Sequence, residues 1–329
     1  NPYCASTGNS EDSEDSFIST SIGSGASATG SGSSASATID CQKYGTFDAA
    51  DSSSFRQNST SFFVSYADSS AASGPWGTDT ITFDGVTLNN TSIGVANISN
   101  STIGVFGIGM TVTESTYSGV GLLTSGATPY QYENVPAAMV SQGLIHKNAY
   151  SLFLNDADAD SGSILFGAVD HSKYSGQLYT LPILKMYKLR SQSVALGFDV
   201  TVQGVGLTNG TDSVTVTTTQ FPALLDSGTT LMYLPVLLSD LIAQEIGASY
   251  SSRLGYYILD CPSDDDPTQI VFDFGGFEIK TNLTNYILSP SSRSTVCYLG
   301  IVPITSVYGI FGDAFLVDAY VVYDLENLE

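Results

Sequence analysis

Residues 224–230 read Leu-Leu-Asp-Ser-Gly-Thr-Thr, and no other segment limits fold and chemistry so tightly. Asp226 follows two apolar residues and opens a tight glycine turn with the hydroxyls of Ser227, Thr229 and Thr230 beside it. Backbone and side-chain donors at such a turn stabilise the charged form of a carboxylate. Gly228 permits neighbouring backbone to come close. The pattern suits an acid/base carboxylate at a strand-to-turn junction. Val214–Ala223 leads in with Thr- and Val-rich strand chemistry, and Leu231-Met232-Tyr233-Leu234 leads out apolar. Pro235 then opens a helix, with Val236, Leu237, Leu241, Ile242 and Ile246 as its expected apolar stripe. The Asp-Ser-Gly tripeptide alone is weak. Asp160-Ser161-Gly162 repeats it after Asn155-Asp156-Ala157-Asp158-Ala159, a polar run with turn composition, so Asp160 reads as a solvated loop acid. Chemistry of this kind normally uses two carboxylates that share a proton, and Asp226 is the single good candidate.

With 329 residues and 42% apolar content, the chain can form two domains or one large one. Ten basic residues stand against 32 acidic ones, a net charge of −22. That balance argues against nucleic-acid binding, because phosphate contacts need Lys and Arg. It fits an extracellular or acidic setting, plain solubility, or attraction to basic substrates.

Cys4, Cys41, Cys261 and Cys297 allow three pairings; the local one, Cys4 with Cys41 and Cys261 with Cys297, gives one staple per half. No Cys-x-x-Cys spacing exists, and His146 and His171 read as surface or turn residues, so neither a metal nor another cofactor is expected. Glycosylation sequons occur at Asn58, Asn89, Asn90, Asn97, Asn100, Asn209 and Asn282, with Asn89 and Asn90 overlapping. Their density in an acidic chain with paired cysteines points to the secretory route. No signal peptide or transmembrane run is visible, and both ends read as cut, as in a processed product.

Residues 5–40 form an acidic, then Ser/Gly/Ala-rich insert, read as a spacer loop held at its base by Cys4 and Cys41. Beyond Tyr44 the text is strand-rich. Phe62–Tyr66 and Gly77–Phe83 form a hairpin with a polar tip at 67–70. A short helix runs over 135–145, Ser163–Gly167 is a buried strand, and 180–205, 278–288 and 308–323 continue an all-β pattern. Val105-Phe106-Gly107 and Ile310-Phe311-Gly312 are apolar-apolar-Gly segments in equivalent places of the two halves.

Together, Leu225–Thr230, Asn148-Ala149-Tyr150-Ser151-Leu152, Ile164–Tyr174 and Ala319–Asp324 resemble the pepsin-like aspartic proteases over nearly the whole chain except 5–40. Within them the text is most similar to the fungal yapsins. The resemblance implies two β-rich lobes around a cleft, here 1–168 and 169–329, each giving one catalytic Asp backed by its own apolar-apolar-Gly strand. It makes Asp226 the second-lobe Asp with Ile310-Phe311-Gly312 behind it. Ser227 would brace the opposite loop, Thr229 would bond the outer oxygen of Asp226, and Thr230 would contact substrate backbone. Tyr66 would be the flap tyrosine. Asp68 at the flap tip, and less directly Asp264, Asp265 and Asp266, would favour substrates with Lys or Arg. The resemblance also implies a cell-surface enzyme, held by a lipid anchor on a tail not in this sequence.

The first Asp-Thr-Gly motif of the family, its usual Gly after the flap tyrosine (here Ala67) and the last strand of the second lobe are not in this sequence. The expectation is therefore a two-chain enzyme derived from a zymogen, with a small N-terminal subunit bringing the other Asp. The alternative is a catalytically silent cell-surface glycoprotein on the same fold.

Overall fold

The computed structural model describes residues 43–66, 70–114, 132–156, 159, 161–189, 191–291 and 294–329. Cys4, Cys41, Asp68, Asp160 and the 5–40 insert lie outside them. The chain divides into two compact units, Asn1–Leu144 and Ile145–Glu329.

The first unit is built on the expected hairpin. Strands β1 (Arg56–Ser65) and β2 (Ala71–Phe83) run antiparallel, with Phe62 opposite Gly74 and Ser65 opposite Ala71. Strands β3 (Val86–Gly94) and β4 (Ile98–Ser99) both pair with β2. Phe62 and Trp76 are buried and their rings meet at 5.4 Å, which pins the register on one face. The Tyr66 amide donates to the Ser70 carbonyl at 2.9 Å and closes the tip. At the hairpin's base Asp79 accepts from Ser54 and Ser52 and from the Thr80 amide. These bonds, Ser54 foremost, hold its carboxyl below the usual range. Helix α1 (Val135–Ser141) starts where expected. Asn134 caps it by accepting from Ala137 N, and Pro136 occupies the first turn, where its missing N–H costs nothing.

In the second unit the chain forms β5 (Ala149–Phe153), β6 (Ser163–Phe166), β7 (Tyr187–Leu189), β8 (Gln192–Val194), β9 (Asp199–Val202), β10 (Gly204–Asn209), β11 (Asp212–Thr217), β12 (Phe221–Leu225) and β13 (Met232–Pro235). Helix α2 (Val236–Glu245) follows, then β14 (Ser249–Ser251), β15 (Tyr256–Asp260), β16 (Thr268–Asp273), β17 (Glu278–Asn282), β18 (Ile287–Leu288) and β19 (Val296–Leu299). Strands β20 (Ile301–Ile304) and β21 (Gly309–Phe311), helix α3 (Asp313–Leu316) and β22 (Val321–Asp324) complete it. The central sheet is ordered β20-β13-β21-β12-β9. Sheets β11-β10-β16-β17, β14-β15-β19-β18 and β22-β5-β6 surround it. Alternation drives burial: Phe221 and Ala223 of β12, and Met232 and Leu234 of β13, point into the core. Phe272, Phe311 and Phe315 meet there with ring centroids 4.7, 4.9 and 5.3 Å apart. Full burial of a phenylalanine of this kind stabilises by about 2–3 kcal/mol. Cys261 and Cys297 are bonded, as the local pairing expects, across a separation of 36 residues. Chain-entropy arguments put such a link at about 3–4 kcal/mol.

The fold is all-β with few short helices, and three local expectations need correction. On α2 the buried face is Leu238, Ser239, Ile242 and Ala243, while Val236, Leu237 and Leu241 are exposed, Leu237 at 79%. Small residues let the helix lie close to the sheet, and Ser239 satisfies its hydroxyl on the Leu234 carbonyl at 3.2 Å. Strand β6 forms but is not buried: Ile164 and Leu165 are exposed, because β6 is the edge of its sheet. Val105-Phe106-Gly107 lies outside any strand, with both apolar side chains exposed, whereas Ile310-Phe311 is central and Phe311 is fully buried. Strands β5 and β6 share a sheet with β22 and lie in the second compact unit. Among the described residues no helix is long and apolar enough to cross a membrane.

Glu114 is buried in the first unit, and among the described residues no donor meets either carboxyl oxygen in hydrogen-bonding geometry. Burial pushes it up to about 7, and the nearby amides of Tyr132 and Asn134 offset this only in part. A carboxyl raised above its unfolded value of about 4.3 gives stability that is full below that pH and lost as pH rises through its native value. Between pH 4 and 7.5, stability is expected to fall on the order of 1–2 kcal/mol more in the native sequence than in Glu114→Gln, solvent screening included. Urea denaturation across that range checks this; parallel curves for the two proteins would refute it.

Candidate active site

The central sheet creates the site by its connectivity. Strand β12 runs parallel to β21, Leu225 opposite Phe311, and β13 runs antiparallel to β21, Met232 opposite Phe311. The chain leaving β12 at Asp226 must cross the end of β21 to enter β13. That crossing is bonded to the residues at the end of β21 and just after it. Asp226 N donates to Phe311 O at 3.0 Å, Asp313 N to Thr229 O at 2.8 Å, and Ala314 N to Thr230 O at 3.1 Å. Gly312 marks the closest approach. A Cβ there would sit 2.1 Å from Thr229 O and 2.4 Å from Leu231 O, so no side chain fits.

The crossing presents a half-buried carboxylate with one donor on each oxygen. Gly228 N donates to Oδ1 of Asp226 at 3.0 Å, and Thr229 Oγ1 donates to Oδ2 at 2.7 Å. Ser227 and Thr230 are exposed and do not bond the carboxylate; Thr229 is the neighbouring hydroxyl that does. Gly228 serves differently from the expectation. What an added Cβ would meet is Asp226 Oδ1, at 3.2 Å, rather than neighbouring backbone.

Sequence reasoning missed Asp313. It lies half-buried at the start of α3, tied through its amide to Thr229, and its carboxyl is pushed up to about 6 by burial first and by Asp226 second. The signal was present, because Asp313 directly follows Gly312 of the recognised apolar-apolar-Gly segment. Behind the crossing, Leu225 N donates to Phe198 O at 3.1 Å. Phe198 packs edge-on against Tyr323, which stacks on Tyr150.

Other expected site residues fall elsewhere. Tyr66 directly follows β1 and is 42% exposed; Asp68 lies outside the described residues. Asp264 and Asp265 are exposed in the turn before β16, and Asp266 accepts from Thr268 N at 2.8 Å, so this cluster shapes a solvated turn. Sequon residues Asn89, Asn90, Asn97, Asn100, Asn209 and Asn282 are exposed and Asn58 is partly so, while Asn100 Oδ1 already accepts from Ala71 N. Among the described residues no group of three or more His, Cys, Asp or Glu could hold a metal.

The two site glycines should respond unequally. Gly312→Ala forces two carbonyl oxygens apart and is expected to cost about 3 kcal/mol or more, against about 1 kcal/mol for Gly228→Ala. Thermal unfolding of both variants checks the order; equal midpoints would contradict the geometry.

A family model described as eukaryotic aspartyl protease matches residues 22–329. Aspartic proteinase 3 of Saccharomyces cerevisiae is 51% identical over 94% of this chain and 54% of its own length. Aspartic proteinase yapsin-3 of the same yeast is 48% identical over 89% of this chain and 58% of its own length. The chain thus spans about half the length of these relatives. The crystal structure of an aspartic proteinase from Irpex lacteus superposes with a TM-score of 0.68 over 87% of this chain and 83% of that one, at 22% identity, a likeness of fold. With the Asp226 crossing and its Gly312 support on the same stretch, the chain belongs to the eukaryotic aspartyl proteases, among relatives that include the yapsins.

Proposed function

We propose that this chain carries one of two catalytic carboxylates, Asp226, of an endopeptidase that hydrolyses peptide bonds with an activated water. The observation that carries the reading is the fixed carboxylate, each oxygen held by one donor at 2.7 or 3.0 Å. Each oxygen keeps acceptor capacity for a water or a shared proton.

The second carboxylate comes from residues outside this sequence, in a small N-terminal subunit. The greater length of the relatives supports this. So does Val105-Phe106-Gly107, whose apolar side chains are 66% and 53% exposed although the text matches the segment that backs Asp226. A strand ending in an acid would cover it. Two carboxylates close together cannot both ionise comfortably, so they hold one proton between them. The ionised one takes a proton from water as its oxygen attacks the peptide carbon. The other protonates the carbonyl oxygen. The tetrahedral intermediate collapses when the leaving nitrogen gains a proton. Ser227 braces the opposite loop, Thr230 meets substrate backbone and Tyr66 closes over it.

The net charge of −22 supports a preference for substrates with Lys or Arg, a role we assign first to Asp68. Exposed sequons and the Cys261–Cys297 bond support an extracellular or cell-surface enzyme, anchored by lipid through a tail outside this sequence. The silent-glycoprotein reading predicts no hydrolysis at all. In the full-length protein, Asp226→Asn is expected to lower kcat/KM for a Lys- or Arg-containing peptide by about a thousand-fold or more at pH 3–6. A statine-type transition-state mimic should block the native enzyme. Hydrolysis that survives both would end the proposal.

A further inference from the structure

The hydroxyl of Tyr323 is a buried polar group near the Asp226 crossing that the mechanism above does not use. Strand β22 pairs with β5 so that Tyr323 lies opposite Tyr150, and the two rings stack at 4.8 Å. Tyr323 also meets Phe198 edge-on at 4.6 Å. The Phe198 carbonyl holds the Leu225 amide, one residue before Asp226. The phenol is therefore fixed on the interior side of the loop that presents the carboxylate.

Tyr323 is 3% exposed, and among the described residues its hydroxyl has no hydrogen-bond partner. Two other buried tyrosine hydroxyls in this unit are satisfied: Tyr257 donates to Asp240 at 2.6 Å and Tyr286 to Thr281 at 2.8 Å. Phenylalanine at 323 would fill the same ring space without burying a polar atom, so packing alone gives no reason for the oxygen.

We propose that Tyr323 is a positioning residue for the hydrolysis, its buried hydroxyl donating through one bridging water to the neighbouring carboxyls of Asp226 and Asp313. This rests on the endopeptidase reading of Asp226. The titratable groups facing Tyr323 are Tyr150 from β5, Asp226 from the crossing and Asp313 from α3. Asp199, next to Phe198, acts on Tyr187 instead. Burial foremost, with those neighbours, raises the Tyr323 phenol well above its ordinary value, so it stays a neutral donor wherever the enzyme works. A water with polar partners on both sides is an ordinary occupant of such a site. The donor stabilises the ionised form of the carboxyls it reaches. Removing it makes them hold their proton to higher pH.

The test is Tyr323→Phe in the full-length protein. The acidic limb of the kcat/KM profile is expected to move up by about half to one pH unit. KM should be unchanged and the thermal midpoint unchanged or higher. In an Asp313→Asn background the same change should shift the limb less, because half of the acceptor is gone. Superimposable pH profiles for the native and Tyr323→Phe enzymes, with Asp226→Asn inactive, would overturn the role of Tyr323 alone. Activity retained in Asp226→Asn would overturn both this inference and the reading beneath it.

Discussion

The second unit depends on one steric fact: at residue 312 three pieces of backbone occupy space that a single methyl group would need. Because Gly312 has no side chain, the carbonyls of Thr229 and Leu231 can close over the end of β21. That closure lets β12 and β13 flank the same central strand. It also leaves Asp226 half-buried at the end of the central sheet. The carboxylate is half-buried because the sheet holds it there, and the turn offers each of its oxygens a donor. Packing and chemistry are thus the same arrangement seen from opposite faces. The aromatic cluster of Phe272, Phe311 and Phe315 anchors one side, and the Asp226 turn is the other.

Much of this was legible in the residues. The flanks of Asp226 marked out its place, because apolar residues on both sides imply strands. The apolar-apolar-Gly text at 310–312 identified the supporting strand. What escaped followed from rules that score residues singly. Asp313 was passed over because a charged residue after glycine looks like surface, although here α3 folds it inward. The face of α2 was misjudged because Ser239 and Ala243 score low on hydrophobicity, while their small size is what close helix-to-sheet packing requires. Strand β6 looked internal from Ile164, Leu165 and Phe166, but chain order in a sheet is set by partners far away in sequence. Tyr323 could not be singled out at all, since an unsatisfied hydroxyl is visible only when its surroundings are.

The chain's acidity has a local counterpart. Glu114 in the first unit and Asp313 in the second are both carboxyls whose burial favours the protonated form. Each costs least when the medium keeps it neutral. Both units therefore lose least stability to these groups in acidic surroundings.

Strand β6 closes one side of the β22-β5-β6 sheet, and among the described residues nothing pairs with its outer rim. That rim offers a row of backbone amides and carbonyls flanked by the oily side chains of Ile164 and Leu165. Produced in isolation, the polypeptide would tend to zip onto copies of itself along this border, so solubility during purification would hinge on whatever natural neighbour occupies it.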